Sequence, residues 1–387
     1  MTKGRKVHSL TGRITEHRMH KAFKAVRKNR GAAGIDKVSI SMFEQNLDQN
    51  LKKLMKDLKG GAYQPLPLRR KFIPKAPGKF RPLGIPAVRD RVAQEVIRSL
   101  IEPYFEPEFS DSSYGFRPNR NCHQAIKQML KYWKLGYNIV LDADIQGFFD
   151  NIEHELIIDL VAQKIADGNI LKIIRQFLKS GVMEDDKLKK TIMGTPQGGV
   201  ISPLLANIVL DVLDQELAKH GYIFVRYADD FLVLAKSTSD IEKAQEIVRD
   251  TIENVLKLNL EPNKTKVTTF KQGFDFLGFS FSTNGVSMAT KSVERLKDKV
   301  RKLTIRSHNF SGKVIDSLNR MTRGTANYFA ADFSTVNAQF LKIDEMIRRR
   351  LRCMKKKRIS VKDNLRIPNR FFQRKGLVSL CSLISKN

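Results

Sequence analysis

Cysteine is scarce: Cys122, Cys353 and Cys381 are the only three in 387 residues, and they form no CxxC pair. That spacing excludes a disulfide scaffold, a zinc ribbon and a cysteine-rich nuclease cluster, and it suits a reducing cytoplasm. Long apolar runs are missing too. None reaches the ~18 residues of a bilayer-spanning helix, and no apolar stretch follows the basic N-terminus as a secretory signal would require. Acid is in short supply: Asp and Glu total 40 against 70 Lys and Arg, a formal charge of +30. What the chain has in quantity is apolar side chain, 41% of all residues. That is enough for a substantial core and excludes wholesale disorder. The length suits two to three domains.

A charge surplus of this size repels itself unless a polyanion neutralises it. Nucleic acid is the commonest such partner, and an anionic membrane surface is the alternative. The charge is concentrated at the ends. Residues 1–30 carry ten Lys or Arg against Glu16, and residues 342–375 carry fourteen against Asp344, Glu345 and Asp363. Apolar residues recur inside both segments, which predicts basic faces on folded helices and not loose tails. Residues 61–90 hold six of the 13 prolines, so extended edge strands and loops are expected there. A helix is expected to start near Asp90 and stop before Pro103. Tyr137–Asp144 reads as a buried strand ending in acid, Ser202–Leu217 as an apolar helix, Tyr222–Ala235 as a β-hairpin and Phe274–Phe281 as a further strand or hairpin. Helical spacing at Val293, Leu296, Val300 and Leu303, and again at Phe340, Ile343, Ile347 and Leu351, predicts a three-helix bundle over about 289–352.

The chemistry lies in carboxylates. Asp229 and Asp230 are neighbours at a tight turn between apolar strands, and Asp142 and Asp144 end another strand. Adjacent acids repel unless a cation compensates, and hard cations take one or two carboxylates plus substrate phosphates. Acids of this kind brought together could hold two ions about 4 Å apart for in-line phosphoryl transfer. Periodicity leaves Asp142 and Asp144 equivalent, since i and i+2 share a face.

Several segments together resemble one family. Tyr227-Ala228-Asp229-Asp230 resembles the YADD box of reverse transcriptases, and Asp144-Ile145-Gln146-Gly147-Phe148-Phe149-Asp150 their first catalytic strand. Gly194-Thr195-Pro196-Gln197-Gly198-Gly199 with Ser202-Pro203-Leu204-Leu205-Ala206-Asn207 resembles the bacterial group II intron type. Ile73-Pro74-Lys75, Arg81-Pro82-Leu83-Gly84-Ile85-Pro86, Tyr114-Gly115-Phe116-Arg117-Pro118, Phe276-Leu277-Gly278-Phe279 and Gly31-Ala32-Ala33-Gly34-Ile35-Asp36 match in order and spacing. The resemblance runs from about residue 15 to 380. Arg323-Gly324-Thr325-Ala326-Asn327-Tyr328-Phe329 and Ile347-Arg348-Arg349-Arg350-Leu351-Arg352 resemble the maturase-type thumb, with Thr325 replacing the usual Trp. Asn369-Arg370-Phe371-Phe372 and Gly376-Leu377-Val378-Ser379-Leu380 resemble only the end of the usual DNA-binding region.

The resemblance implies an α+β right-hand polymerase. Its parts would be an N-terminal extension over 1–45, fingers over 46–135, a palm with an antiparallel sheet over 136–287, an α-helical thumb over 288–358, and a short basic remnant over 359–387 without an endonuclease domain. It implies RNA-directed DNA synthesis with Asp144, Asp229 and Asp230 as catalytic acids. Two Mg²⁺ ions, with Mn²⁺ as substitute, would be held by these acids and the Ile145 carbonyl. Lys75, Arg81, Phe149 and Gln197 would bind the nucleotide, Phe149 as a gate against a ribose 2′-OH or else as an ordinary core ring. Gly198 and Gly199 would let backbone approach the substrate. Arg69, Arg70 and Arg117, the primer grip Phe276, Leu277 and Gly278, and Arg348, Arg349, Arg350 and Arg352 would contact nucleic acid. The implied partners are an RNA template, a DNA or RNA primer, dNTPs and a structured intron or non-coding RNA, in the cytoplasm and away from membranes. Two other roles fit the same residues: an intron-RNA-binding splicing cofactor, and a domesticated enzyme of phage defence or CRISPR spacer acquisition.

Overall fold

Proline decides how the basic stretch after residue 61 is laid out. Leu68–Ala76 pairs antiparallel with Lys79–Ile85, with Phe72 opposite Pro82 and Pro74 opposite Phe80. Lys79–Ile85 is the edge of its sheet, so Pro82 costs no ladder bond. The parallel neighbour Val182–Glu184 pairs with Leu68 and Arg69, well before Pro74. The computed structural model describes residues 6–76, 79–184, 187–189, 193–195 and 198–386, without the side chains of residues 75, 76, 79, 188, 385 and 386. The fold class is α+β with antiparallel sheets.

The chain divides into two units. The first comprises Met1–Tyr137 and Leu141–Val267. Here the basic N-terminal segment forms the helix Glu16–Lys28, which buries Met19, Ala22, Phe23 and Val26 and leaves Lys21, Lys24, Arg27 and Lys28 exposed. It packs on the helix Val88–Phe105. That helix does not stop before Pro103, as expected, but continues through it. A proline has no N–H for the carbonyl four residues earlier. The deserted carbonyl of Ser99 is taken instead by the Arg18 guanidinium at 3.2 Å. Asp167 ties the N-terminal segment down further: its carboxylate accepts from Leu10 N at 2.9 Å, Thr11 N at 2.7 Å and Thr11 Oγ1 at 2.8 Å. It also caps the helix Gly168–Lys179.

The acid-bearing sheet has the order Ile223–Tyr227, Asp230–Ala235, Ile139–Ala143, Lys266–Thr269. The division between the units falls within its last two strands. Phe224, Val225, Phe231, Leu232, Val233 and Leu234 are all buried, so the hairpin stands on core residues. The helix Ser202–Lys219 buries residues around most of its circumference, including Leu205, Val209, Leu210, Leu213 and Leu217. That marks a central helix.

The second unit comprises Asn138–Val140 and Thr268–Asn387. A three-stranded sheet, Phe274–Phe276, Phe279–Ser282 and Gly285–Met288, turns its first hairpin at Leu277 and Gly278. Their φ values of +49° and +82° are what a tight hairpin turn requires. Three helices follow, Thr290–Leu303, Gly312–Phe329 and Asn337–Lys356, packed around Val300, Leu318, Phe340, Ile343, Ile347 and Leu351. The sheet packs on these helices. Phe279 stacks on Tyr328 and meets Phe329 and Phe333, and Tyr328 donates to the Leu277 carbonyl at 2.8 Å. The expected boundary at 287/288 therefore falls inside this unit. The segment beyond residue 358 folds back onto the helices, with Ile367, Phe372 and Leu380 in the shared core. Buried Asp344 accepts from the backbone of Leu380 at 3.0 Å and Cys381 at 3.2 Å. Among the described residues no helix is long and apolar enough to cross a membrane.

Asp167 gives a stability prediction. Burial raises its pKa, but the hydrogen bonds from Thr11, Ile170 and Leu10 outweigh this and hold it below the usual carboxylate value. A depressed carboxyl stabilises the fold fully above its unfolded pKa near 3.8, and that contribution disappears as pH falls through the folded value. Asp167→Ala should cost about 1–3 kcal/mol at pH 7. The gap between wild type and variant should narrow between pH 7 and pH 3. Urea denaturation at both pH values measures it.

Candidate active site

Asp144 follows directly on the strand Ile139–Ala143. The chain 259–261 returns beside it: Glu261 N donates to the Asp144 carbonyl at 2.8 Å, Gln146 N donates to the Asn259 carbonyl at 2.9 Å, and buried Ile145 bridges Leu260. Asp229 lies in the hairpin turn and Asp230 opens the next strand, opposite Tyr227. Ala228, between them and Tyr227, is left-handed at φ +59°. The acids feel one another. Burial raises the pKa of Asp229, and Asp144 raises it further against the opposing pull of Arg81 and Lys264. Asp230 keeps an open face to solvent, yet crowding by the surrounding protein, then Asp229, Asp144 and Asp142, push it up to about 6. Lys264 forms an ion pair with Asp144, which raises the lysine's pKa. The cluster thus holds more negative charge than its own cations relieve. Among the described residues no group of three or more His, Cys, Asp or Glu side chains is arranged to hold a metal ion. A hard cation bound by one or two carboxylates and completed by substrate phosphate does not require such a cage. The donor set is chemically suited to one.

The two phenylalanines after Gly147 divide their roles. Phe148 is 2% exposed, whereas Phe149 is half-buried, so the core position belongs to Phe148. Phe149's carbonyl accepts from Thr195 N at 2.7 Å. Gly194 is required there, because its φ is +86° and a Cβ would lie 2.7 Å from the Asp150 carbonyl oxygen. Buried His154 reaches the Gly194 carbonyl through Nε2 at 2.8 Å, and burial lowers its pKa.

The remaining predicted residues separate clearly. Arg81 is exposed and near enough to Asp229 to oppose its pKa rise. Lys75 lies on the strand Leu68–Ala76, but its side chain and all of Gln197 are outside the described residues. Gly198, expected to admit substrate, instead admits protein: a Cβ would lie 2.4 Å from the Gly84 carbonyl oxygen. Arg69 and Arg70 are half-buried in the strand, Arg70 3.5 Å from Glu184. Arg117, expected to contact template, is turned inward. It is 8% exposed and donates to the Ser110 and Ser113 carbonyls at 2.6 and 2.9 Å and to Glu106 at 3.0 Å. In the second unit Phe276 is buried, and Leu277 and Gly278 form the hairpin turn. Of the four arginines on Asn337–Lys356, two are structural. Arg350 donates to Thr304 Oγ1 at 2.7 Å and the Thr304 carbonyl at 2.9 Å. Arg352 donates to the Ile367 carbonyl at 2.8 Å and Asn369 at 2.7 Å. Arg348 and Arg349 line a cleft of about 660 Å³ with Lys342.

Sequence reasoning missed a buried assembly under the acid turn. Arg226, fully buried, donates through Nε and Nη2 to both carboxylate oxygens of buried Asp214, at 2.8 and 2.5 Å. Its other nitrogen reaches Asn207 Oδ1 and the Ala228 carbonyl, each at 3.0 Å. Asn207 in turn donates to the Gly115 carbonyl at 2.9 Å. The signal available was faint: one arginine inside an apolar strand and one aspartate inside an apolar helix, each costly unless paired. Lys264 had no signal beyond its basic loop.

Residues 73–281 match the family described as reverse transcriptase (RNA-dependent DNA polymerase), and residues 293–372 match the group II intron maturase-specific domain. Protein YkfC of Escherichia coli (strain K12) is 35% identical over 283 residues, 63% of this chain and 74% of that protein. The group II intron-encoded protein LtrA of Lactococcus lactis subsp. cremoris is 30% identical over 391 residues, 75% of this chain and 65% of LtrA. A 91 kDa protein in the cob intron of Schizosaccharomyces pombe is 40% identical over 163 residues, 42% of this chain and 20% of that protein.

The buried pair sets a testable asymmetry. Arg226→Met or Asp214→Leu alone should cost about 3–5 kcal/mol, because each leaves an uncompensated buried charge. The double variant should recover much of that loss. Urea unfolding of the four proteins measures the coupling, and additive losses would contradict it.

Proposed function

The chain belongs to the reverse transcriptases that carry a group II intron maturase domain, and on that premise we propose that it extends a primer 3′-OH with dNTPs along an RNA template by two-metal-ion phosphoryl transfer. It is an RNA-directed DNA polymerase of the right-hand, α+β class, and its domains are those of proteins that bind template and intron RNA. The observation that supports the proposed mechanism best is the gathering of Asp144, Asp229 and Asp230, whose negative charge Lys264 and Arg81 relieve only in part. A protein that only binds nucleic acid gains nothing from carboxylates that repel one another beside a phosphate backbone. Reverse transcriptases use divalent metal. Asp144, Asp229 and the Ile145 carbonyl, with Asp230 assisting, would hold Mg²⁺ or its substitute Mn²⁺. Such ions activate the attacking oxygen and stabilise the charge that develops on the phosphates.

The chain's own residues then have distinct tasks. Arg81 and Lys75 neutralise the triphosphate, and Arg81's electrostatic reach to Asp229 supports that assignment. Phe149 presents a half-buried ring to the sugar. Gln197 is assigned to the nucleotide by family likeness alone. Lys264 balances Asp144 before substrate arrives and must yield that carboxylate when it serves as a ligand. Arg69 and Arg70 line the template side, and the Leu277–Gly278 turn supports the primer end. Arg348 and Arg349 contact duplex or intron RNA. The working compartment is the cytoplasm. A second reading, intron-RNA binding as a splicing cofactor, draws on the maturase-specific domain over residues 293–372. It would use the basic helices and leave the acids without a task.

Two expected outcomes test this. Asp144→Ala and Asp229→Ala should each abolish extension of oligo(dT) on poly(rA) while leaving RNA affinity within about twofold. Wild-type extension should stop in EDTA and return with Mg²⁺ or Mn²⁺. Extension that survives either substitution would refute the metal-ion reading. For the basic helix, Arg348→Ala with Arg349→Ala should flatten the log–log salt dependence of RNA/DNA binding by about two units, one for each phosphate no longer neutralised. Arg350→Ala with Arg352→Ala should instead lower the unfolding midpoint, since these guanidiniums bond protein carbonyls.

A further inference from the structure

Phe116 is held where a phenylalanine does not settle unaided. Its φ is +60°, an outlier for a bulky side chain. The residue is 53% exposed, so little burial compensates the strain. The backbone on both sides is clamped. Arg226 N donates to the Ser112 carbonyl and Tyr114 N donates to the Arg226 carbonyl, each at 2.8 Å. A Cβ on Gly115 would lie 2.2 Å from Ala228 N, so only glycine lets this loop lie against the acid turn. On the far side Arg117 is locked to Glu106, Ser110 and Ser113. Strain that persists only because its surroundings enforce it is a mark of function.

What the strain achieves is a contact. The Phe116 ring stands edge-to-face on Phe149, with centroids 6.4 Å apart and planes at 78°. Phe149 leans in the same manner on buried Phe148, at 5.3 Å and 73°. The three rings form a series from core to surface, and Phe149 is held from both sides. A ring that excludes a 2′-OH has to stay in place when pushed. With Phe148 alone behind it, Phe149 would be free to turn aside.

We propose that Phe116 is a specificity-determining residue: it braces Phe149 to make a two-ring wall that admits deoxyribonucleoside triphosphates and rejects ribonucleotides. The proposal rests on the reading of Phe149 as the residue that meets the sugar. Phe116 acts through Phe149 and makes no bond in the reaction.

The test measures kcat/KM for dTTP and UTP on poly(rA)/oligo(dT) with wild type, Phe149→Val, Phe116→Gly, their double variant and Phe116→Tyr. Glycine removes the ring yet adopts φ +60° without strain, so the clamps stay closed. A melting curve at or above the wild-type midpoint verifies this. Phe149→Val should raise the UTP/dTTP ratio about tenfold or more, and Phe116→Gly about three- to tenfold. The double variant should not exceed Phe149→Val, because one ring acts through the other. Phe116→Tyr should keep the wild-type ratio. A wild-type ratio in Phe116→Gly beside a raised ratio in Phe149→Val would overturn the brace and leave Phe149 as the gate. Wild-type ratios in both would overturn the gate and the brace together. Multiplication of the two effects in the double variant would also refute a brace.

Discussion

The Arg226–Asp214 ion pair is the constraint on which the acid-bearing end of the first unit depends. Both side chains are fully buried. A charge in that position is tolerable only with a partner and with its remaining hydrogen-bonding capacity filled. The filling fixes everything around it. The guanidinium holds the Ala228 carbonyl and with it the left-handed residue before Asp229. Through Asn207 it holds the Gly115 carbonyl. Through its own backbone Arg226 pairs with the 112–114 segment. One side chain therefore sets the acid turn, the central helix and the loop carrying Phe116 in a single arrangement.

Two kinds of charge are handled in opposite ways. Below the turn, the buried charges of Arg226 and Asp214 are matched to each other, and the result is rigidity. At the turn, carboxylates are gathered with too little compensation, and the result is readiness for a cation. Concentrating negative charge is destabilising on its own, and the matched network beneath opposes it by holding the turn. The Lys264 pairing moderates the repulsion at Asp144 without removing it from Asp230, whose carboxyl still sits at about 6.

The readable parts of the sequence were those governed by period and adjacency. Alternating apolar residues marked the hairpin around Asp229 and Asp230, and 3.6-residue spacing marked the helices at Val293–Leu303 and Phe340–Leu351. Direction was unreadable. Arg117 and Arg352 carry the same charge as Arg349, and nothing in their immediate neighbours tells that two of them turn inward to bond protein carbonyls. Distance was unreadable too. Lys264 meets Asp144 across 120 positions, and local spacing carries no trace of that. The helix through Pro103 was misjudged because its repair comes from Arg18, a residue on another helix. The turn position of Asp229 and Asp230 and their repulsion were legible from adjacency; the approach of Asp144 and Asp142 to Asp230 needed coordinates.

The Asp167 anchor has a consequence for birth on the ribosome. Thr11 and Asp167 are separated by 156 positions. At ~5–20 residues per second, the N-terminal segment waits about 8–30 s after its own synthesis before that carboxylate emerges. Ser99, another point of attachment, comes sooner, 81 positions after Arg18. Until Asp167 emerges, Leu10 and Thr11 lack the three hydrogen bonds that it later accepts from them. The final anchoring of the N-terminal segment is therefore timed by translation of the helix that Asp167 caps.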